Sequence, residues 1–129
     1  MQLSGFNILL VEDEPLIALD LTDTLEAAGA RVIGPIRSLK SAFDALEDRS
    51  GSDCWDAVVL DYRLTDGTSQ PFAEALKRAD VPFLIHSGNA EILESLAIRL
   101  SAPLLAKPSD GSALVDAIAR VVRLSAEED

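Results

Sequence analysis

The stretch Phe6-Asn7-Ile8-Leu9-Leu10-Val11-Glu12-Asp13-Glu14-Pro15 decides the fold. Its first six residues form a nearly continuous apolar run, the pattern of a strand buried on both faces of a parallel sheet, and the run ends abruptly in three acids. Pro15 is then well placed for the first turn of a helix. Ile17, Leu21, Leu25 and Ala28 recur at helical spacing until Gly29 stops the pattern.

Outward from that unit the same rhythm repeats. Arg31–Ile36 reads as a weaker strand, and Ser38 can cap a helix with Leu39, Ala42, Phe43 and Leu46 on one face. A polar loop over 48–53 leads to Ala57-Val58-Val59-Leu60, the clearest strand, which runs straight into Asp61 and a glycine-containing turn. Residues 71–79 are predicted to be a helix, 82–87 a strand, 90–100 a helix and Leu104–Ala106 a short strand. The last amphipathic helix spans 110–124 on Leu114, Ile118, Val121 and Val122, and 126–129 form a frayed tail. Five strands alternating with five helices through short loops imply an α/β fold. Each parallel crossover needs a helix and must be right-handed, so the expected architecture is a flavodoxin-like (βα)5 three-layer fold with a parallel five-stranded sheet in the order 2-1-3-4-5. A dinucleotide-binding arrangement would need a glycine-rich turn after the first strand, where Glu12-Asp13-Glu14-Pro15 stands instead.

With 129 residues, 48% of them apolar, the chain fits one domain over 1–129, with a core of about 6–124 and an acidic tail at 125–129. Its 22 acidic against 11 basic side chains give a net charge of −11, which repels phosphate backbones and anionic headgroups. Nucleic acid and membrane surfaces are therefore disfavoured as partners, whereas metal cations or another protein fit. No run approaches the ~18 uncharged apolar residues of a membrane span, and the run at 6–11 lacks the flanks of a signal peptide, so a cytoplasmic location is expected. One cysteine, Cys54, excludes an internal disulfide or a cysteine-rich metal site; it and Trp55 read as packing residues.

In open parallel sheets the functional crevice lies beyond the carboxyl ends of the strands. Here the first strand ends in Glu12 and Asp13, the third in Asp61, the fourth in Ser87, and the fifth in Lys107 followed by Pro108. Taken singly, each has an ordinary reading: acids before a helix favour its positive end, aspartate starts turns, and Ser87 and Lys107 could be plain loop residues. Together they are the residue types that metal-assisted phosphoryl chemistry requires, gathered in one crevice. Three carboxylates at one edge repel and call for a cation. Oxygen-only ligands at a water-exposed mouth favour Mg2+, with Lys107 supplying a further positive charge. His86, alone within a strand, reads as a packed core residue rather than a catalytic group.

Ile8-Leu9-Leu10-Val11-Glu12-Asp13-Glu14-Pro15, Val58-Val59-Leu60-Asp61, Ser87-Gly88 and Ala106-Lys107-Pro108 together resemble the receiver domain of bacterial two-component response regulators over residues 6–124. The resemblance implies that Asp61 is the phosphoacceptor and that Glu12, Asp13, Asp61 and the backbone carbonyl of Arg63 hold magnesium. It also implies that Ser87 and Lys107 bind the phosphoryl group, and that the Lys107-Pro108 peptide is cis. Where receivers usually carry a switching aromatic three residues before the lysine, this chain has Leu104, so the switch is expected to run through Ser87 and the 88–100 segment. The short Tyr62-Arg63-Leu64-Thr65-Asp66-Gly67 segment and Pro82-Phe83-Leu84-Ile85-His86-Ser87-Gly88 look like the subgroup marked by a Phe-Ala-Thr-Gly stretch and associated with HWE-type histidine kinases. Only 22 residues follow Lys107, so the expectation is a stand-alone receiver, not an enzyme in its own right. It would take its phosphoryl group from a histidine kinase or a histidine phosphotransfer protein and signal through a downstream protein partner, with homodimerisation left open. The alternatives are the C-terminal receiver of a hybrid kinase and an aspartate-nucleophile magnesium phosphatase, the latter opposed by Arg63 where such enzymes carry a second aspartate. A flavin-type binding module is opposed by acid where its phosphate loop should be.

Overall fold

The computed structural model describes residues 2–48, 55–87, 104–106 and 111–128. In chain order the elements are β1 (Asn7–Val11), α1 (Pro15–Ala27), β2 (Arg31–Ile36), α2 (Leu39–Asp48), β3 (Ala57–Asp61), β4 (Arg63–Leu64), β5 (Gly67–Thr68), α3 (Gln70–Arg78), β6 (Phe83–Ser87), β7 (Leu104–Ala106) and α4 (Gly111–Glu128). The main sheet is five-stranded in the order β2-β1-β3-β6-β7, with every pair parallel. That is the flavodoxin-like 2-1-3-4-5 order, because β4 and β5 stand apart as a two-stranded antiparallel hairpin.

Strand periodicity divides the interior into two layers. Leu9, Val11, Val58, Leu60 and Ile85 face one way and pack with Ala42 of α2 and Phe72, Ala73 and Leu76 of α3. Ile8, Leu10, Ala57, Val59 and Leu84 face the other way and pack with Ala18, Leu21 and Leu25 of α1 and Leu114 and Ile118 of α4. β1 and β3 are thus covered on both faces, which is why their sequences are apolar at nearly every position. Phe43 and Phe72 meet edge to face, with ring centroids 5.3 Å apart, and join α2 to α3. Trp55 is buried in the first layer, as expected for a packing residue; Cys54 lies outside the described residues.

Local signals explain the ends of the elements. Glu14 is the N-cap of α1 with Pro15 behind it. At the other end of α1, Gly29 has φ +98°, and the Gly29 and Ala30 N–H groups donate to the carbonyls of Glu26 and Leu25, so the helix closes in a left-handed cap that a Cβ would jam against Ser4 Oγ at 2.6 Å. Gly34, at φ +109°, brings the chain within 2.7 Å of Leu10 O (measured from where its Cβ would be), and the β1–β2 register shifts there before Pro35. Ser38 caps α2 as expected, its hydroxyl accepting the Ser41 N–H at 3.1 Å.

Three features differ from the sequence reading. The segment after Asp61, expected to be a turn, is a hairpin. Leu3, upstream of the expected core, is fully buried in the second layer, and its N–H donates to Ala28 O. The last helix continues to Glu128 through the residues expected to fray, because Ser-Ala-Glu-Glu offers no helix breaker. The helix expected over 90–100 lies outside the described residues. Among the described residues, no helix is long and apolar enough to cross a membrane.

Candidate metal and phosphoryl site

β1 and β3 are neighbours in the sheet, with Val11 in register with Leu60, so the residues that follow them emerge side by side. Glu12, Asp13 and Asp61 each offer a carboxylate oxygen, and these oxygens all lie within 4.8 Å of one another. Glu12 is 1% and Asp61 7% exposed, whereas Asp13 is half-buried at the mouth. Like charges at that spacing repel by about 3–4 kcal/mol per pair at an effective dielectric near 20. The backbone holds them there regardless: the Glu12 N–H donates to Ile36 O at 2.9 Å, and Glu12 Oε2 accepts the Glu14 N–H at 3.1 Å. Hard oxygen donors clustered at a partly open edge have the chemistry to hold a divalent cation.

The remaining predicted residues fall as follows. Arg63 opens β4, two residues after Asp61, with its side chain in solvent. Ser87 ends β6 and Leu104 begins β7; both are placed by their backbones, Ser87 in register with Ala106 and Leu104 with Ile85. Lys107 and Pro108, with the cis peptide assigned to them, lie outside the described residues, as does the 88–100 segment. His86 is 3% exposed and in register with Asp61 on the adjacent strand, a core position as expected.

Sequence reasoning missed Asp66. From the loop of the hairpin it accepts the Leu39 N–H at 2.7 Å and the Lys40 N–H at 3.1 Å, capping α2 from 27 residues away. These bonds, the Leu39 one foremost, hold its carboxyl below the ordinary aspartate range. Beside it Thr65 Oγ1 donates to Arg37 O at 3.3 Å. At the base of the hairpin the Ser69 N–H donates to Tyr62 O at 2.7 Å, and Leu64 is buried in the first layer.

The chain matches no protein-family model. It is 35% identical over 104 residues to the phyllosphere-induced regulator PhyR of Methylorubrum extorquens, a match covering 79% of this chain and 38% of that protein, so the chain spans well under half the length of this curated relative. Among solved structures, it is 30% identical to the non-phosphorylated HemR receiver domain of Leptospira biflexa, with a TM-score of 0.76 over 92% of this chain and 94% of that one. The receiver domain of a sensor histidine kinase from Pseudomonas aeruginosa, whose structure has a magnesium ion coordinated in its active-site cleft, shares the fold with a TM-score of 0.79 at 23% identity, covering 93% and 99% of the two chains.

Proposed function

The chain belongs to the receiver-domain family of response regulators, and from that premise we propose that it accepts a phosphoryl group on Asp61 from a phosphohistidine of a histidine kinase or phosphotransfer protein. The observation that carries this reading is the convergence of Glu12, Asp13 and Asp61 at the ends of two adjacent buried strands, with Asp61 on the central one. One Asp61 carboxylate oxygen attacks phosphorus, the P–N bond to the donor imidazole breaks, and an acyl phosphate remains until water cleaves it. The donor set fits magnesium, which would be held by Glu12, Asp13 and Asp61, together with the Arg63 carbonyl, and would supply positive charge to the equatorial oxygens. Ser87 is assigned to hydrogen-bond the phosphoryl group, and Lys107 to pair with it. Burial of Asp61 between β1 and β6 limits the approach of water, which favours attack on phosphorus over solvation of the carboxylate.

Output is assigned to protein–protein contacts. The Phe83–Ser87 strand followed by Gly88, and the short segment after Asp61, support placement in the Phe-Ala-Thr-Gly subgroup, which is associated with HWE-type kinases. Incubation with acetyl phosphate and magnesium tests the core of the reading: intact-mass measurement should show one added phosphoryl group in the wild type and in Asp66→Asn, and none in Asp61→Asn. Addition that persists in Asp61→Asn overturns it.

A further inference from the structure

Two bonded paths leave the carboxylate cluster and meet at the N-terminus of α2. The first starts at Glu12, whose N–H donates to Ile36 O, the last residue of β2, immediately before the turn into α2. The second starts at Asp61 and passes through Tyr62, whose carbonyl is closed onto the Ser69 N–H, into the β4–β5 hairpin. That hairpin is short, with Arg63 in register with Thr68, Leu64 with Gly67, and Leu64 buried. Its loop returns to the first path at three points: Thr65 Oγ1 on Arg37 O, and both Asp66 oxygens on the Leu39 and Lys40 N–H groups. Each strand end that carries an acid is thereby tied to the same helix terminus.

We propose that Asp66 is a positioning residue for the carboxylate cluster, bracing the backbone after Asp61 against α2 so that Asp61 stays close to Glu12 and Asp13 despite their mutual repulsion. The proposal rests on the metal-binding reading of those three acids. The physical need is plain: three anions within 4.8 Å push their strand ends apart, and a cation binds tightly only if that crowding is maintained in its absence. An anion across the first two N–H groups of a helix is a strong anchor for such a brace. Coupling of this kind is reciprocal, so a cation at the cluster must also tighten the bonds from Asp66 to α2. The β2–α2 turn would then report the state of the site, although it contributes no acid to it.

Magnesium titration followed by calorimetry, with hydrogen exchange on the same proteins, tests the brace. Asp66→Ala should bind magnesium about fivefold more weakly than the wild type. Asp66→Asn, which keeps an oxygen for the 2.7 Å bond but loses the charge and the second acceptor facing the Lys40 N–H, should bind magnesium with an affinity between those of Asp66→Ala and the wild type. In the wild type, magnesium should slow exchange of the Leu39 and Lys40 amides. Equal affinity in Asp66→Ala and wild type overturns the proposal, because a residue that merely capped α2 would leave the cluster untouched. Equal loss in the Ala and Asn variants also overturns it, since long-range charge would then suffice. If the wild type itself binds no magnesium, the metal-site reading falls and the brace falls with it.

Discussion

Asp66 and the Glu12–Asp13–Asp61 cluster treat negative charge in opposite ways. Asp66 is exposed, and each of its oxygens meets a backbone N–H at the positive end of a helix. Glu12 and Asp61 are buried, and although Glu12 Oε2 also accepts the Glu14 N–H, an oxygen of each lies within 4.8 Å of the other and of one from Asp13. The first arrangement stabilises the fold by itself. In the second the carboxylates repel one another, a cost that a bound cation would relieve.

The sharpest way to break this contrast is through the cation. At magnesium a hundredfold above its Kd, the wild type should gain about 2.7 kcal/mol of unfolding free energy, and Asp13→Asn should lose most of that gain, as read by thermal melts with and without the ion. An unchanged shift in Asp13→Asn would move the metal away from the acidic edge. A smaller effect of opposite sign is expected without cation: Asp13→Asn should be more stable than the wild type by about 1 kcal/mol, since the repulsion of Asp13 with Glu12 and with Asp61, screened by water at the half-buried mouth, is gone. A variant that is less stable in the absence of metal would mean that Asp13 is held by favourable partners and that the contrast is drawn wrongly.

The smallest effect belongs to Asp66 and depends on pH. Its carboxyl is held below the ordinary aspartate value in the folded protein, so its contribution is fully present above that value and is lost as pH falls through it towards the lower folded one. The difference in urea midpoint between wild type and Asp66→Asn should therefore be constant from about pH 7 to pH 5 and shrink below about pH 4. A difference that instead grew on acidification would contradict the bonding to α2.

What the sequence revealed and what it concealed follow from the range of the forces involved. β1 and β3 are legible because burial on both faces demands unbroken apolar runs, and the ends of those runs point to Glu12, Asp13 and Asp61 without further information. Gly29 and Ser38 are legible because their roles are local: one ends its helix and the other caps the residue three positions on. Asp66 carries no such signal, because its partners are Leu39 and Lys40, and nothing near residue 66 in the chain announces them. The hairpin was hidden for a related reason, since strands of two residues are too short to show a period. Leu3 was missed because a single apolar residue between polar neighbours looks like an exposed terminus until α1 is folded over it.

The interruption of β2 at Gly34 and Pro35 has a further consequence, for the solubility of the chain. Among the described residues β2 is the outermost strand on its side of the sheet, and an exposed rim of this kind invites a strand from another molecule to add on. Pro35 has no N–H to offer such a strand, the backbone at Gly34 leaves the pleat, and Arg31 sets a charge at the start of the rim. An incoming chain finds a broken row of donors and gains few bonds by pairing there, so the same irregularity that bends β2 against β1 also guards that rim of the sheet against aggregation.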